Sequence, residues 1–292
     1  MKSAINFYYN LYPDEVFSQD NFYYFFIDED KYYFVPFNND EKVVDLIYNQ
    51  LNNLKIKTNL IIYNKENKIG TLYKEKLYAM LKVNCIENEV VNLDEFLNIP
   101  IDVEVSDWGK VWGEKLDYYA YQVSQRGLKK EGILNSFSYY AGMGENAIEY
   151  YNLINNKPNR GFIKHRRVYD INYEINYFNP LNLVIDYSVR DIAEYIKSAF
   201  FKDNLNIDKV INYINKNFNS EDSINLIFSR LLFPTYYFDL YDKVINDEEK
   251  DTILVDVINL ADKYEAFLKD FYMYYSKLYP MFRVEWLIKT QI

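Results

Sequence analysis

Apolar and polar positions follow two rhythms along this chain. Up to about residue 90 the apolar runs are short and rich in aromatic and β-branched residues. Phe22–Ile27 and Tyr32–Phe37 flank Asp28-Glu29-Asp30, and this pattern predicts a β-hairpin. Between Asp40 and Leu54 the rhythm changes: Val43, Val44, Ile47, Leu51 and Leu54 recur at helix spacing. Asn59–Tyr63 and Leu77–Cys85 predict further strands, with a turn at Asn64-Lys65-Glu66-Asn67 and a weaker strand at Gly70–Tyr73. The order strand, strand, helix, strand, strand, strand predicts a small antiparallel sheet carrying one helix, over residues 1–90.

Residues 91–292 read as a helical lobe. Trp108, Val111, Trp112, Leu116, Tyr119 and Val123 form one stripe, and Phe137, Tyr140, Ala141, Gly144, Ile148 and Tyr151 a second. Gly142 and Gly144 in the second stripe predict close approach of a neighbouring element, since glycine in a helix interior costs about 1 kcal/mol. The stretch 158–186 interrupts the pattern, with Tyr173–Tyr177 and Leu181–Asp186 expected to form a hairpin around Phe178-Asn179-Pro180. Ser188, with Asp191 three residues on, predicts a capping box opening the helix Val189–Phe201. Its expected apolar face is Ile192, Tyr195, Ile196 and Ala199. Further helices are expected at 207–218, at 221–245 with a bend near Pro234, and at 248–276.

Composition narrows the classes. A hydrophobic content of 49% supports a folded protein with a sizeable core. The net charge of -10 and pI of about 4.8 argue against nucleic acid as a partner, since phosphate binding needs a basic face. A single cysteine, Cys85, rules out an intramolecular disulfide and fits a reducing compartment. No apolar stretch approaches the ~20 residues of a membrane span, and no signal peptide opens the chain. The 32 tyrosines and 20 phenylalanines come with many Asn, Ile and Lys, a bias that A/T-rich codons produce. Trp108 and Trp112, four apart on one helix, are expected in the core.

The candidate chemistry sits in one run. His165, the only histidine, opens His165-Arg166-Arg167-Val168-Tyr169-Asp170-Ile171-Asn172, and Asp186 closes Val184-Ile185-Asp186, 14 residues past Asn172. Kinase-type phosphotransferases use His-x-Asp-x-x-x-x-Asn to supply a catalytic aspartate and a metal-binding asparagine, and a later strand-end aspartate as second metal ligand. The spacing here fits that frame, but Arg167 stands where the base belongs. Arginine stays protonated and cannot accept a hydroxyl proton.

The layout of sheet lobe, helices, loop-hairpin insert and more helices resembles the aminoglycoside- and choline-kinase-like phosphotransferases. Specific strings sharpen it: Ser138-Tyr139-Tyr140-Ala141-Gly142-Met143-Gly144-Glu145-Asn146-Ala147-Ile148, Asp191-Ile192-Ala193-Glu194-Tyr195-Ile196, Arg230-Leu231-Leu232-Phe233-Pro234-Thr235-Tyr236-Tyr237-Phe238 and Tyr264-Glu265-Ala266-Phe267-Leu268-Lys269-Asp270-Phe271-Tyr272. These resemble the YutH-like spore coat proteins, a degenerate branch of that superfamily related to the CotS-like coat proteins. The resemblance implies an α+β, protein-kinase-like, aminoglycoside phosphotransferase-like two-lobed fold. It also implies a protein made in the mother-cell cytoplasm and carried on the spore coat, with other spore coat proteins as partners and no membrane. A degenerate His-x-Arg in the loop fits that branch.

Measured against a working kinase site, three of four parts are missing. No glycine precedes Gly70, so no Gly-rich phosphate cradle joins the first strands. The strand Tyr32–Phe37 has no interior lysine, and Arg167 replaces the base. Asn172 and Asp186 alone keep the metal-ligand types. The expected role is therefore non-catalytic, a pseudokinase-like scaffold with no cofactor. An alternative is an atypical small-molecule phosphotransferase using ATP and Mg²⁺, with Asn172 and Asp186 on the metal and Asp170 or another acid as base. A third reading starts from Lys157 to Arg167, an 11-residue stretch with no acid. There Arg160, Lys164, Arg166 and Arg167 are anion-binding candidates. In the plainer version of that reading, Arg166 or Arg167 pairs with Asp186 or Asp191 and fills the space of a lost metal.

Overall fold

The computed structural model describes residues 1–19, 22–84, 93, 96–125, 130–168 and 178–288. The chain divides into two compact units: Met1–Ile101 with Phe162–Asp186, and Asp102–Gly161 with Tyr187–Ile292.

The first unit is built on an antiparallel sheet. Its strands are β1 (Phe17–Gln19), β2 (Phe22–Ile27), β3 (Asp30–Pro36), β4 (Leu60–Ile62), β5 (Gly70–Tyr73) and β6 (Lys76–Lys82). They run in the order β1-β2-β3-β6-β4, with β5 also on β6. The predicted hairpin is present, with Ile27 facing Asp30 at the turn and Asp28 at φ 53°. β3 is central and buried on both faces. Tyr33 and Val35 pack with Val44 and Tyr48 of the helix α2 (Glu41–Asn53). Tyr32 and Phe34 pack on the other side with Ile5 and Tyr9 of α1 (Lys2–Tyr9). The sheet thus carries two helices, not the one expected. α1 escapes the periodicity because it buries only Ile5 and Tyr9 and has no side-chain cap. α2 begins where Asp40 accepts the Lys42 N–H at 2.9 Å, as its composition predicts.

A second, three-stranded sheet comprises β7 (Ile99–Glu104), β8 (Arg160–His165) and β9 (Leu183–Asp186), in that order. Leu183–Asp186 is a strand as expected, but its partner is β8, antiparallel, with His165 opposite Leu183 and Phe162 opposite Asp186. The partner proposed from sequence, Tyr173–Tyr177, lies outside the described residues. Ile163 and Leu183 pack on Ile47 and Leu51, so α2 is gripped by both sheets. Asn39 and Asn59 add ties: Asn39 Nδ2 donates to Leu181 O at 2.5 Å, and the Asn59 N–H to Phe178 O at 2.9 Å. These contacts are why 162–186 clusters with a sheet unit that reaches Ile101, where the sequence pattern suggests a boundary at 90.

The second unit is helical: α3 (Trp108–Gln125), α4 (Glu131–Leu153), α5 (Arg190–Phe201), α6 (Ile207–Asn217), α7 (Glu221–Leu232), α8 (Thr235–Ile245), α9 (Thr252–Ile258), α10 (Ala261–Tyr275) and α11 (Glu285–Ile288). The expected 221–245 helix is two helices, because Pro234 has no N–H to continue the ladder. The expected 248–276 helix also divides, at Asn259 and Leu260. The capping box at Ser188 does not form: α5 starts two residues later, behind Val189, with no side-chain cap. Asp191 instead sits in its first turn, near the positive end of the helix dipole. No helix among the described residues is long and apolar enough to cross a membrane.

The glycines of α4 differ in what they touch. A Cβ on Gly144 would press on the Leu116 side chain of α3, the close approach expected, whereas one on Gly142 would meet nothing. The tightest is Gly132, where a Cβ would overlap the Asp251 carbonyl oxygen, a backbone atom that cannot rotate away. Gly132→Ala is expected to lose about 1–3 kcal/mol through this overpacking. Gly142→Ala is expected to gain up to about 1 kcal/mol from helix propensity. Thermal melts of the two variants check the opposite signs. Equal midpoints would contradict the packing argument.

Candidate functional site

His165 ends β8 and is 1% exposed; its strand partner is Leu183. Beyond it the chain turns through Arg166, Arg167 and Val168, the last buried. Two hydrogen bonds fix this turn to the start of β9. The Arg166 N–H donates to Asn182 O at 2.7 Å, and Asn182 Nδ2 donates to Arg167 O at 3.0 Å. The Arg167 guanidinium folds back through Nη1 to Arg166 O at 2.8 Å. Asn182 is thus the asparagine that clamps the position where a kinase carries its base. Sequence spacing gave no sign of it, since it lies 15 residues from Arg167. Its own anchor was legible, because Pro180 and the Asn179 side chain, which accepts from the Leu181 N–H at 2.9 Å, start the 3-10 turn Pro180–Asn182.

Asp186 ends β9 and is 5% exposed. The register places it opposite Phe162, three residues further along β9 than the Leu183 that faces His165. At ~3.3 Å per residue that is roughly 10 Å of strand. The hairpin therefore does not bring Asp186 beside His165. Asp170 and Asn172, the proposed base and metal ligand, lie outside the described residues. Among the described residues no cluster of three or more His, Cys, Asp or Glu could hold a metal ion.

The four basic candidates are placed differently. Lys164 is 2% exposed, and its ammonium donates to Leu97 O at 2.5 Å and, more weakly, to Asn98 Oδ1 at 3.4 Å. Arg166 and Arg167 are half-buried, and Arg160 is exposed. Arg160 belongs to the helical unit, the other three to the sheet unit.

In the sheet unit, β3 and α2 are the elements on which a kinase carries its phosphate-positioning lysine and glutamate. β3 does include a lysine, Lys31, one residue before the strand expected from sequence. Its ammonium lies 4.9 Å from the centre of the Tyr33 ring and 5.6 Å from that of Tyr24. Glu41, in the first turn of α2, accepts the Ile69 N–H at 2.5 Å.

The helical unit contains a cluster that sequence reading missed. Glu194 Oε1 accepts from Lys197 Nζ and from Arg230 Nε, each at 2.9 Å. Lys197 also donates to Arg230 O at 3.1 Å and Thr235 Oγ1 at 2.5 Å. The Arg230 guanidinium lies 5.0 Å from the Trp108 ring centre and 5.7 Å from that of Trp112, and Trp112 stacks on Phe233 at 4.5 Å. All three charged side chains are 4% exposed or less. Glu194 and Arg230 fall in two of the strings that carry the family resemblance, so those strings include a buried ionic joint.

Comparison with known proteins places this geometry. A family model described as "Spore coat putative kinase YutH" matches residues 2–271. The endospore coat-associated protein YutH of Bacillus subtilis (strain 168) is 26% identical over 269 residues, spanning 79% of each chain. Among solved structures, an aminoglycoside phosphotransferase from Alicyclobacillus acidocaldarius aligns over 95% of this chain and 97% of its own, at TM-score 0.53 and 10% identity. A spectinomycin phosphotransferase, in complex with ADP and spectinomycin, aligns over 85% and 88%, at TM-score 0.55 and 8% identity. The fold is accordingly α+β and aminoglycoside phosphotransferase-like.

Proposed function

The chain belongs to the spore coat putative kinase YutH family, and from that premise we propose that it is a spore coat-associated protein with a non-catalytic, structural role. The coat association of the Bacillus subtilis relative supports the location. In this reading the protein is made in the mother-cell cytoplasm, its partners are other spore coat proteins, and no cofactor takes part.

One observation carries the non-catalytic part. Arg167 holds the base position, and the Asn182 side chain locks its backbone to the start of β9. A guanidinium there cannot take up a proton from a substrate hydroxyl, and it adds positive charge where the base should supply negative. Glu41 supports this reading, because its carboxylate accepts the Ile69 N–H.

A thermal-shift series with millimolar ATP and Mg²⁺ or Mn²⁺ tests this. A ligand that binds only the folded state raises the midpoint, by about 2.7 kcal/mol of stabilisation at a hundredfold excess over Kd. We expect no shift, and we expect the protein to fractionate with spores and to be made only in sporulating cells. A clear rise that Asp186→Ala abolishes would replace the structural reading with that of an atypical phosphotransferase. A vegetative, unbound distribution would remove the coat assignment.

A further inference from the structure

A groove in the helical unit is left unfilled by the helices around it. It lies among the C-terminal end of α5, α6 and α10, with a volume of about 810 Å³. α6 has apolar residues at helix spacing, Ile207, Val210, Ile211 and Ile214, yet buries only Val210 and Ile214. Ile207 and Ile211 line the groove, and Ile207 is 53% exposed. α10 lines it with Lys263, Ala266, Phe267, Asp270, Phe271 and Tyr274, which form one stripe along the helix. Open apolar surface of this kind marks a place for a partner.

The order of charges along the α10 stripe says which partner fits. Lys263 and Asp270 are seven residues apart, with Ala266 and Phe267 midway between them. Both charges are exposed, and neither makes an ion pair among the described residues. Their own helix offers none, because no position three or four residues from either carries the opposite charge. A second α10 laid antiparallel answers both. With a two-fold axis between Ala266 and Phe267, Lys263 of each copy meets Asp270 of the other. The same axis sets Phe267 of each copy against Ala266 of the other. A large side chain over a small one suits helices packed ~8–10 Å apart. Asp203, the third charge at the groove, lies in the α5–α6 connection, outside the stripe.

We propose that this face is an isologous interface between two copies of the chain, in which the α10 helices pack antiparallel and form two Lys263–Asp270 ion pairs. In a two-fold dimer the same patch serves both subunits, so it must complement itself, as this stripe does. The α6 helices flank the pair and cover their exposed Ile207 and Ile211 with it. A small apolar molecule would leave Lys263 and Asp270 unanswered, and a partner of one charge sign would answer only one of them. The groove lies within the helical unit, so the proposal does not rest on the coat role or on the state of the kinase-like site.

Sedimentation of the full chain over a concentration series tests the pairing. The wild type is expected to pass from monomer to dimer as concentration rises. Lys263→Asp would set carboxylate against carboxylate at both ends of the pair, and Asp270→Lys ammonium against ammonium. Each variant alone is expected to dimerise roughly 10- to 100-fold more weakly, with far-UV circular dichroism unchanged because both positions are exposed. Mixed in equal amounts, the two variants are expected to regain wild-type dimerisation, because in the mixed dimer both pairs are again of opposite sign. Damage to folding would not be repaired by mixing. If either variant fails to fold, Ala266→Glu, at the exposed centre of the stripe, is expected to abolish the dimer in its place. A chain monomeric at every concentration overturns the proposal. So does a dimer that the folded variants leave intact, or a mixture of the two charge variants that stays monomeric. A monomer that binds the neutral dye Nile red saturably would make the groove a small-molecule site, and the dimer proposal would fall.

Discussion

Glu194→Ala is expected to lower the stability of the chain by about 3–5 kcal/mol, the largest effect of any single substitution considered. The reason is charge left behind. Glu194 is the carboxylate that both Lys197 and Arg230 reach, at 2.9 Å each, and both cations are 4% exposed or less. Removing it takes away a carboxylate that two buried cations share. The Trp108 and Trp112 faces attract Arg230, and the Arg230 carbonyl and Thr235 hydroxyl accept from Lys197, so the cations are not wholly unsatisfied. At roughly 2–4 °C per kcal/mol, the midpoint should fall on the order of 10 °C. Lys197→Met should be milder, because the Glu194–Arg230 bond survives. Thermal melts followed by circular dichroism decide between these. A Glu194→Ala midpoint within two degrees of wild type, or a Lys197→Met variant less stable than Glu194→Ala, would refute the joint as described.

The same cluster shows where sequence reasoning stops. Period-2 runs and helix spacing located β2, β3, α2 and the cores of α3, α4 and α10, because apolar burial in these elements follows their own geometry. α1 was illegible because only Ile5 and Tyr9 of it are buried. β8 was illegible because its buried residues include Lys164 and His165, which hydropathy assigns to solvent. Lys164 then joined the anion-binding candidates on charge alone, while the fold sends its ammonium to the Leu97 carbonyl. Glu194 and Lys197 lie outside the apolar face expected for α5, and the pattern assigned them no role. The third member, Arg230, is 36 residues from Glu194, and no local pattern links them. Asn182 fails for the same reason: hydrogen bonds across a hairpin have no period. The resemblance strings did locate the cluster, since Glu194 and Arg230 lie within them, but they did not reveal what it was.

The tyrosines, set aside one by one as composition bias, become decisive together at high pH. Burial pushes the Tyr9 phenol up to about 12, partly offset by its hydrogen bond with Thr71, and pushes Tyr237 up to about 12 against its bond with Ser136. Tyr140, Tyr150, Tyr241 and Tyr275 are raised further, also chiefly by burial. Tyr139 is raised by burial and by donating to the Glu265 carboxylate at 2.6 Å. An unfolded phenol ionises near 10. Below that pH both states keep their protons, and the buried phenols impose no pH dependence. Between 10 and about 12 the unfolded chain releases protons that the folded chain retains, so stability falls as pH rises. Each of Tyr9 and Tyr237 accounts for about 2 kcal/mol of that fall by pH 12. With the further phenols added, the sum approaches a typical total stability of about 5–15 kcal/mol. The fold is therefore expected to collapse cooperatively between pH 10 and 12. Phenolate absorbance should jump in the same narrow interval in which far-UV ellipticity is lost. Tyr237→Phe should move that interval upward, since it removes one ionisable group and leaves the Ser136 hydroxyl bonded to Gly132 O at 2.6 Å. Gradual phenolate absorbance with ellipticity intact through pH 12 would show that these rings reach solvent without unfolding. The buried positions assigned to them, and the packing of the helical unit that rests on them, would then be wrong.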